Sequence, residues 1–559
     1  MKNDIEQIVQ SAFGLSVEAI ISRPDANFGD YATNIALQLA KSVGQNSRQI
    51  AEQIADGLRQ TGNYSDVAIA GPGFINVRLS SSRLAAQLIE NWSDNYGSSA
   101  DGAGKTVVVD YPSPNMAKPY SVGHLRPGNQ GWAARRLMEE TGWRVISDNH
   151  LGDYGAPLGI WITGFEMFSD RDRLEANGVY ELGRVYIEMK QALKDEKESG
   201  GNELADRVQD WLLRYERGDE EALAYSRRFN EISLAHIHHV MDRLGISTDY
   251  EMGESQFAES GKLAVNELVE QGVAVRNDDG SVIVPLDGFD VPLLILKSNG
   301  AALYATTDLA TILYREQNWQ PDRVIYAVGA EQQFYFAQLF AMAKKMGLTT
   351  EMIHLWFGVI EQRNPDGTRE KMSSRKGVVL MEELLDQAEA RARRLVGDRP
   401  VLEEDIKKIA LGAIKFSDFT ADRRTNILFD WDSIFALSGF SGPYVQYAAV
   451  RVNKILNENG NGTAQLEDYD YQAEKNVLLK LIDYPAVVAG AAAELEPHRI
   501  ASYLFELAQT MNRYYESTPI ATGGVSDVEK QARLNILSRV SHVFGHGLSI
   551  LGIEIPSSM

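Results

Sequence analysis

Apolar residues recur along this chain in two rhythms, and the places where one replaces the other mark its organisation. The run Val107-Val108-Val109, entered through Thr106 and closed by Asp110, is apolar at consecutive positions. A strand buried on both faces of a parallel sheet has this pattern. Helical spacing follows around Trp132–Glu140, then Arg144-Val145-Ile146-Ser147 reads as another strand. Val324–Val328 and His354–Ile360 repeat the strand pattern, each beside a helical segment, which predicts a parallel sheet with crossover helices. Residues 165–260 are charged and helical in pattern, an expected insertion between the two halves of the sheet. From about Asp430 the rhythm is almost wholly helical, over Tyr444–Asn457, Ala473–Leu479, Tyr503–Tyr515 and Val528–Leu551. A helical bundle is expected there.

Ahead of the sheet, residues 1–96 read as a small α+β unit. Helical patterns at Ile5–Phe13 and Ala32–Val43 precede two strands set around the turn Gly71-Pro72-Gly73, between Val67 and Leu79. Gly97–Gly104 has the composition of a flexible linker. At 559 residues, 44% apolar and 24% charged, the chain suits a protein of several globular domains. The absence of cysteine excludes disulfides, thiolate zinc sites and a thiol nucleophile. The N-terminus carries acids at once and lacks a signal-peptide core, and the longest apolar run, Ala486–Ala493, is short of the roughly 20 residues of a membrane helix. A cytoplasmic protein with no membrane or DNA partner is expected. A net charge of −22 opposes indiscriminate polyanion binding. Positive charge nevertheless gathers at Arg375-Lys376, Arg391, Arg393-Arg394, Lys407-Lys408, Lys415 and Arg423-Arg424. That cluster is either a local RNA-facing patch or a solvated helix face.

Two short segments carry the chemistry. The first is Ser113-Pro114-Asn115-Met116-Ala117-Lys118-Pro119-Tyr120-Ser121-Val122-Gly123-His124-Leu125-Arg126. It runs from a strand into a helix, so Gly123 and His124 fall at a helix N-terminus, where free N–H groups favour phosphate. Alone, a histidine there is more often a cap or a packing residue. The second segment, Lys371-Met372-Ser373-Ser374-Arg375-Lys376-Gly377, puts cations and hydroxyls on a glycine-bounded loop suited to a leaving pyrophosphate. Together they describe nucleotidyl transfer from ATP. His124 would donate to phosphoryl oxygens, and Lys371 would follow the pyrophosphate.

The pair resembles the two signatures of the class I aminoacyl-tRNA synthetases, and their surroundings are similar to the arginyl family in particular. Asp110–Pro119, Asn149–Gly155, Leu303–Ala310 and Ser441–Ala448 carry the likeness through the body of the chain. Gly29–Asn34, Gly71–Asn76 and Leu548–Pro556 extend it to both ends. The resemblance implies a multidomain α/β protein: an N-terminal added α+β domain over 1–96, a Rossmann-type catalytic domain over 105–429 and an all-α anticodon-binding bundle over 430–559. Within the catalytic domain, about 375–429 is the expected tRNA stem contact. It implies ATP as its magnesium complex, L-arginine and tRNA(Arg) as substrates, no prosthetic group, and a monomer.

By the same resemblance, His124, Ser121, Lys118, Lys371 and Ser373 are expected to be catalytic. Gly123, His124, Met372, Ser374 and Arg375 are expected to hold ATP, and Asp110, Asn115, Tyr304, Asp308 and Gln332 the arginine. Carboxylates suit a planar guanidinium; the plainer role for Asp308 is to cap a helix over Ala310–Arg315. Asn34, Asn76, Tyr444, Gln446, Tyr447 and Arg451 are the expected tRNA contacts, against core packing for the tyrosines. Two positions depart from the family pattern. Ser121 stands where histidine is usual, and a hydroxyl can hydrogen-bond to ATP but carries no charge. Ser374 stands where lysine is usual, with Lys118 implied as its substitute. His236, His238 and His239 splay over different helix faces with no acidic or sulfur ligand placed to close a site, so no metal site is expected. The implied activity is arginine–tRNA ligation. The alternatives are a tRNA-binding relative that no longer ligates, a class I enzyme for another amino acid, and a small-molecule adenylating ligase, which fits the flanking domains poorly.

Overall fold

The structure, a computed structural model, describes residues 1–25, 27–155, 157–372, 379–462 and 469–559. It divides into one unit of residues 1–97, 451–486 and 506–544 and another of residues 98–450, 487–505 and 545–559.

In the first unit, helices α1 (Lys2–Phe13), α2 (Ile35–Val43), α3 (Ser47–Gln60) and α4 (Ser81–Asn91) accompany a four-stranded antiparallel sheet. Its order is β1 (Ile21–Ser22), β2 (Tyr31–Thr33), β4 (Phe74–Leu79), β3 (Tyr64–Ala70). The Gly-Pro-Gly turn joins the expected strands, with Ile69 opposite Ile75. The helix expected from Ala32 starts only at Ile35, because Tyr31–Thr33 pair with β4. Helix α3 was not anticipated, although Asn46 accepts a hydrogen bond from the Arg48 amide as an N-cap should.

The C-terminal helices are α17 (Gly442–Asn459), α18 (Lys475–Glu494), α19 (His498–Ser517) and α20 (Asp527–Ile550), close to the expected set. The division between the units passes through all four. One expectation needs correcting, because α18 is long and apolar enough by length and composition to cross a membrane. Val477, Leu478, Leu481, Tyr484, Val488 and Ala491 of that helix are buried within the protein, as in a core helix.

The second unit is built on five parallel strands in the order β12 (Glu351–His354), β11 (Arg323–Tyr326), β5 (Thr106–Asp110), β6 (Arg144–Leu151), β7 (Tyr250–Gly253). In the middle strand Val107, Val108 and Val109 are wholly buried, each worth about 1.5–3 kcal/mol over exposure. Helix α5 (Leu125–Glu140) links β5 to β6. The expected insertion begins earlier than 165: helices α6 (Pro157–Phe168), α7 (Arg171–Asn177), α8 (Val179–Glu198), α9 (Glu203–Glu216) and α10 (Glu220–Leu244) form the crossover from β6 to β7. Between α11 (Ala258–Glu270) and α12 (Tyr304–Asn318) lies an unanticipated antiparallel sheet of β8 (Val275–Arg276), β9 (Val282–Val284) and β10 (Leu293–Leu296). Helix α13 (Gln333–Lys345) leads from β11 to β12.

His354–Ile360 is not one strand. β12 ends at His354, and Ile360 opens β13 (Ile360–Arg363), which pairs with β14 (Arg369–Lys371) and β15 (Ile427–Leu428) in a separate sheet. Helices α14 (Met381–Val396), α15 (Glu403–Asp418) and the short α16 (Trp431–Ile434) follow. The presumed linker is also more ordered than its composition implies. The Ser99 and Gly102 amides donate to the carbonyls of Glu140 and Thr141, which would otherwise be orphaned at the end of α5.

The chain leaves β5 toward β6 and β7, then returns to place β11 and β12 on the other side. The reversal falls between β5 and β11, and open α/β sheets bind ligands at the carboxyl ends of strands at such a point.

Candidate active site

Register sets the floor of the site. Asp148, Asp110 and Tyr326 are direct neighbours across β6, β5 and β11. Asp110 and Asp148 each accept from Nη2 of Arg315 on α12, both at 2.6 Å. Burial pushes Asp148 up to about 6, while Arg315 stays fully charged between its two acids. Ser113 donates to the other Asp110 oxygen at 2.6 Å. Its φ is +51° and that of Ala117 +56°, and between them the segment after β5 runs on beside the end of β6, where Asn115 bridges Gly152 in parallel. Left-handed backbone at a residue other than glycine costs about 1–3 kcal/mol. A side chain at Gly152 would meet Asn115 Oδ1 at 2.5 Å, so a larger residue there would push the Asn115 side chain out of place.

A cleft of about 570 Å³ opens above these strand ends, and Asp110, Asn115, Gly123, His124, Tyr304, Asp308, Gln332, Lys371 and Met372 of the expected residues all line it. Its lining carries both carboxylates and basic or N–H donor groups. Helix α12 starts at Tyr304, so Asp308 lies in the second helical turn and is not a cap; one turn apart, the two share a face. Asp308 accepts from the Tyr335 hydroxyl, and burial, with Asp110 nearby, pushes it up to about 6. Glu254 follows β7 directly and also lines the cleft. Burial first, then the charges of Asp308 and Asp153, push it up to about 8. Sequence reasoning missed Glu254, whose only signal is a carboxylate directly after a strand-like segment. Carboxylates this reluctant to ionise together favour a bound cation.

Gly123, His124 and Lys371, which line the same cleft, are the residues suited to phosphate. His124 Nδ1 accepts the Ser121 amide at 3.1 Å, with Ser121 Oγ at 3.4 Å. The neutral ring therefore carries its proton on Nε2. Burial lowers His124 to about 4, so near neutral pH it is an uncharged N–H donor. Ser121 does not line the cleft and serves to orient His124. Lys118 is absent from the lining too; its Nζ sits 4.9 Å from the ring centre of Tyr186, and burial lowers its pKa. Ser373, Ser374 and Arg375 lie outside the described residues, as do Lys376 and Gly377.

Of the expected tRNA contacts, Tyr447 and Arg451 are exposed, and Arg451 lies 4.5 Å over the Tyr515 ring. Tyr444 is half-buried against Phe505. Asn34 is half-buried and accepts from Gln38, and Asn76 is buried inside its strand. Gln446 is fully buried, donating to the carbonyls of Lys408 and Glu554 at 3.0 and 2.8 Å, so it is a structural residue. Gln446→Ala should cost about 1–3 kcal/mol in urea unfolding through the two deprived carbonyls, with tRNA affinity of the folded protein unchanged. Among the described residues, part of the positive cluster is consumed as well. Lys415 and Arg423 are buried, while Arg393, Lys408 and Arg424 pair with acids.

The histidine triple has acidic neighbours, His236 and His239 facing Glu382 and His238 meeting Glu251, in pairwise contacts. His236 Nε2 already accepts the Tyr120 amide at 3.0 Å, which leaves Nδ1 protonated and unable to ligate a metal.

This fold, with this cleft at its switch point, defines a class I tRNA synthetase. The family model for the class I (R) tRNA synthetase catalytic domain matches residues 87–431, that for the DALR anticodon binding domain 445–559, and that for the arginyl tRNA synthetase N-terminal domain 1–79. The arginine–tRNA ligase of Lactococcus lactis subsp. lactis is 33% identical, with all of both chains covered. That of Thermobifida fusca is 34% identical over 99% of this chain and 98% of its own. The arginyl-tRNA synthetase of Thermus thermophilus shares the fold with a TM-score of 0.82 at 24% identity, covering 100% of this chain and 99% of that one. The Plasmodium falciparum enzyme gives 0.80 at 22%, over 100% and 98%. The chain belongs to the arginyl-tRNA synthetase family.

Proposed function

We propose that this protein ligates L-arginine to tRNA(Arg) in two steps. The observation that carries the reading is one cleft lined both by the carboxylates Asp308 and Glu254 with Tyr304 and by the donors His124 and Lys371. A guanidinium offers several N–H donors in one plane, which two carboxylates can share. With that group held, an oxygen of the arginine carboxylate attacks the α-phosphorus of ATP and the bond to pyrophosphate breaks, giving arginyl-adenylate. His124 Nε2–H donates to the phosphoryl oxygens, and Lys371 balances the departing charge. ATP brings its magnesium with it as part of the substrate. Asn115 and Gln332 border the space for the rest of the amino acid. Asp110 accepts from Ser113 on one oxygen and from Arg315 on the other, and its remaining lone pairs leave it able to accept from the amino acid.

In the second step the 2′-hydroxyl of the terminal ribose attacks the arginyl carbonyl and AMP leaves. Tyr444, Tyr447 and Arg451 suit stacking on unpaired anticodon bases, and Asn34 is a further RNA contact. Bound tRNA completes the pocket before arginine reacts, a form of induced fit. The test is exchange of labelled pyrophosphate into ATP for each amino acid, with and without tRNA. Exchange with arginine that requires tRNA is the expected result. Silence under every condition, with tRNA still bound, would favour the non-ligating relative suggested by Ser121.

The pH profile adds an independent check. Arginine needs ionised partners, and in the free protein Asp308 and Glu254 hold protons up to about 6 and about 8. Raising the pH removes protons that the guanidinium must otherwise displace. Thus kcat/KM for arginine should climb on the order of tenfold between pH 6 and 8.5 and then level. A flat profile would contradict the assignment of these carboxylates.

A further inference from the structure

The first signature segment meets residues 379–381, which come just after the second in sequence, in a short antiparallel ladder. The Val122 amide donates to the Val379 carbonyl and the Met381 amide to the Tyr120 carbonyl, each at 3.0 Å, and Ser121 bridges Leu380. Residues 120–122 lead into His124, and residues 379–381 follow the second signature in sequence. The Tyr120 amide takes no part in the ladder and donates instead to His236 Nε2. The ring proton on Nδ1 then faces Glu382 Oε2 at 3.5 Å, one residue beyond the ladder. The same carboxylate lies 3.2 Å from His239 Nε2 and accepts from the Tyr180 hydroxyl. His236 and Glu382 are mostly enclosed, at 10% and 20% side-chain exposure. Neither lines the cleft, so neither touches substrate.

We infer that His236 is a positioning residue for the adenylation step, holding both strands of this ladder in register: one through the Tyr120 amide, the other through Glu382. The consequence reaches the cleft through one peptide group. Tyr120 and Ser121 are consecutive, and the Ser121 amide sets the ring of His124. A tilt of the segment moves the Nε2–H that serves phosphate. Helices α8 and α10 thus act on the reaction although they supply no group to it. Misplacement by about 1 Å is enough to cost a reaction on the order of a hundredfold.

The inference rests on the adenylation reading above, and wild-type exchange tests that reading by itself. His236→Ala should lower kcat for arginine-dependent pyrophosphate exchange about 10- to 100-fold. The KM for arginine should stay within about twofold, because Asp308, Glu254 and Tyr304 stand on other elements. His236→Gln should recover most of the rate, since its amide oxygen can accept the Tyr120 N–H while its NH₂ reaches Glu382. Glu382→Gln, which puts a donor in front of two histidines, should lose rate and keep KM. The inference falls if His236→Ala stays within twofold of wild type, if His236→Gln is no better than alanine, or if the loss is in KM. Should His236→Ala not fold, Glu382→Gln with wild-type kcat would overturn it equally. A wild-type protein silent with arginine would remove the adenylation reading and this inference with it.

Discussion

Asp308→Ala should reduce kcat/KM for arginine by two to four orders of magnitude while leaving ATP affinity nearly unchanged. Asp308 already accepts from Tyr335 and carries a pKa raised to about 6 by burial. A carboxylate kept in such a place is held for an ionic partner. Its removal strips the guanidinium of a charged acceptor inside a half-enclosed cleft, and losing one member of a buried pair costs about 3–5 kcal/mol. Glu254 remains and keeps binding measurable but weak. The expected pattern is a large rise in KM for arginine, read by exchange kinetics across arginine concentration. A twofold effect would place the guanidinium elsewhere.

His124→Ala should act in the opposite way, lowering kcat about 10²–10³-fold with little change in KM for arginine. That range is the usual cost of removing one donor from a developing oxyanion. The tautomer makes the prediction specific. With Nδ1 occupied by the Ser121 amide and the ring neutral above about pH 4, His124 contributes a hydrogen bond and no charge. His124→Asn, which keeps an N–H donor, should therefore retain more rate than alanine, and no step in log kcat between pH 5 and 8 should belong to this ring. A kcat that tracks a histidine titration near neutrality, lost in His124→Ala, would refute this.

Both residues were visible in the sequence. His124 follows a strand-to-helix turn and gained its meaning from the second segment, while Asp308, four residues after Tyr304, was carried by the family resemblance. The β-branched run of β5 and the Gly-Pro-Gly hairpin were legible from local pattern. Glu254 was not, because its meaning depends on where β7 ends beside α12, an arrangement between segments far apart in the chain. Gln446 was misread because its partners, the carbonyls of Lys408 and Glu554, are remote in sequence and carry no side-chain signal. Ser121 looked like a weakened catalytic residue; its backbone amide turned out to matter more than its side chain. The sheet of β8, β9 and β10 went unseen because its strands are two to four residues long, too short for a period to emerge.

The pair of acids in the cleft also bears on the accuracy of translation. Lysine matches arginine in charge and nearly in length, but its ammonium is a compact point with no planar fork. It cannot serve Asp308, Glu254 and the Tyr304 hydroxyl together, and a carboxylate left without its partner there is costly. Citrulline keeps the plane and lacks the charge. Sites built on obligatory hydrogen bonds reject such near-cognates by roughly 10⁴–10⁵-fold at the first encounter. On the proposed assignment of Asp308 and Glu254, discrimination of that order would precede ester formation and leave little misacylated tRNA to proofread.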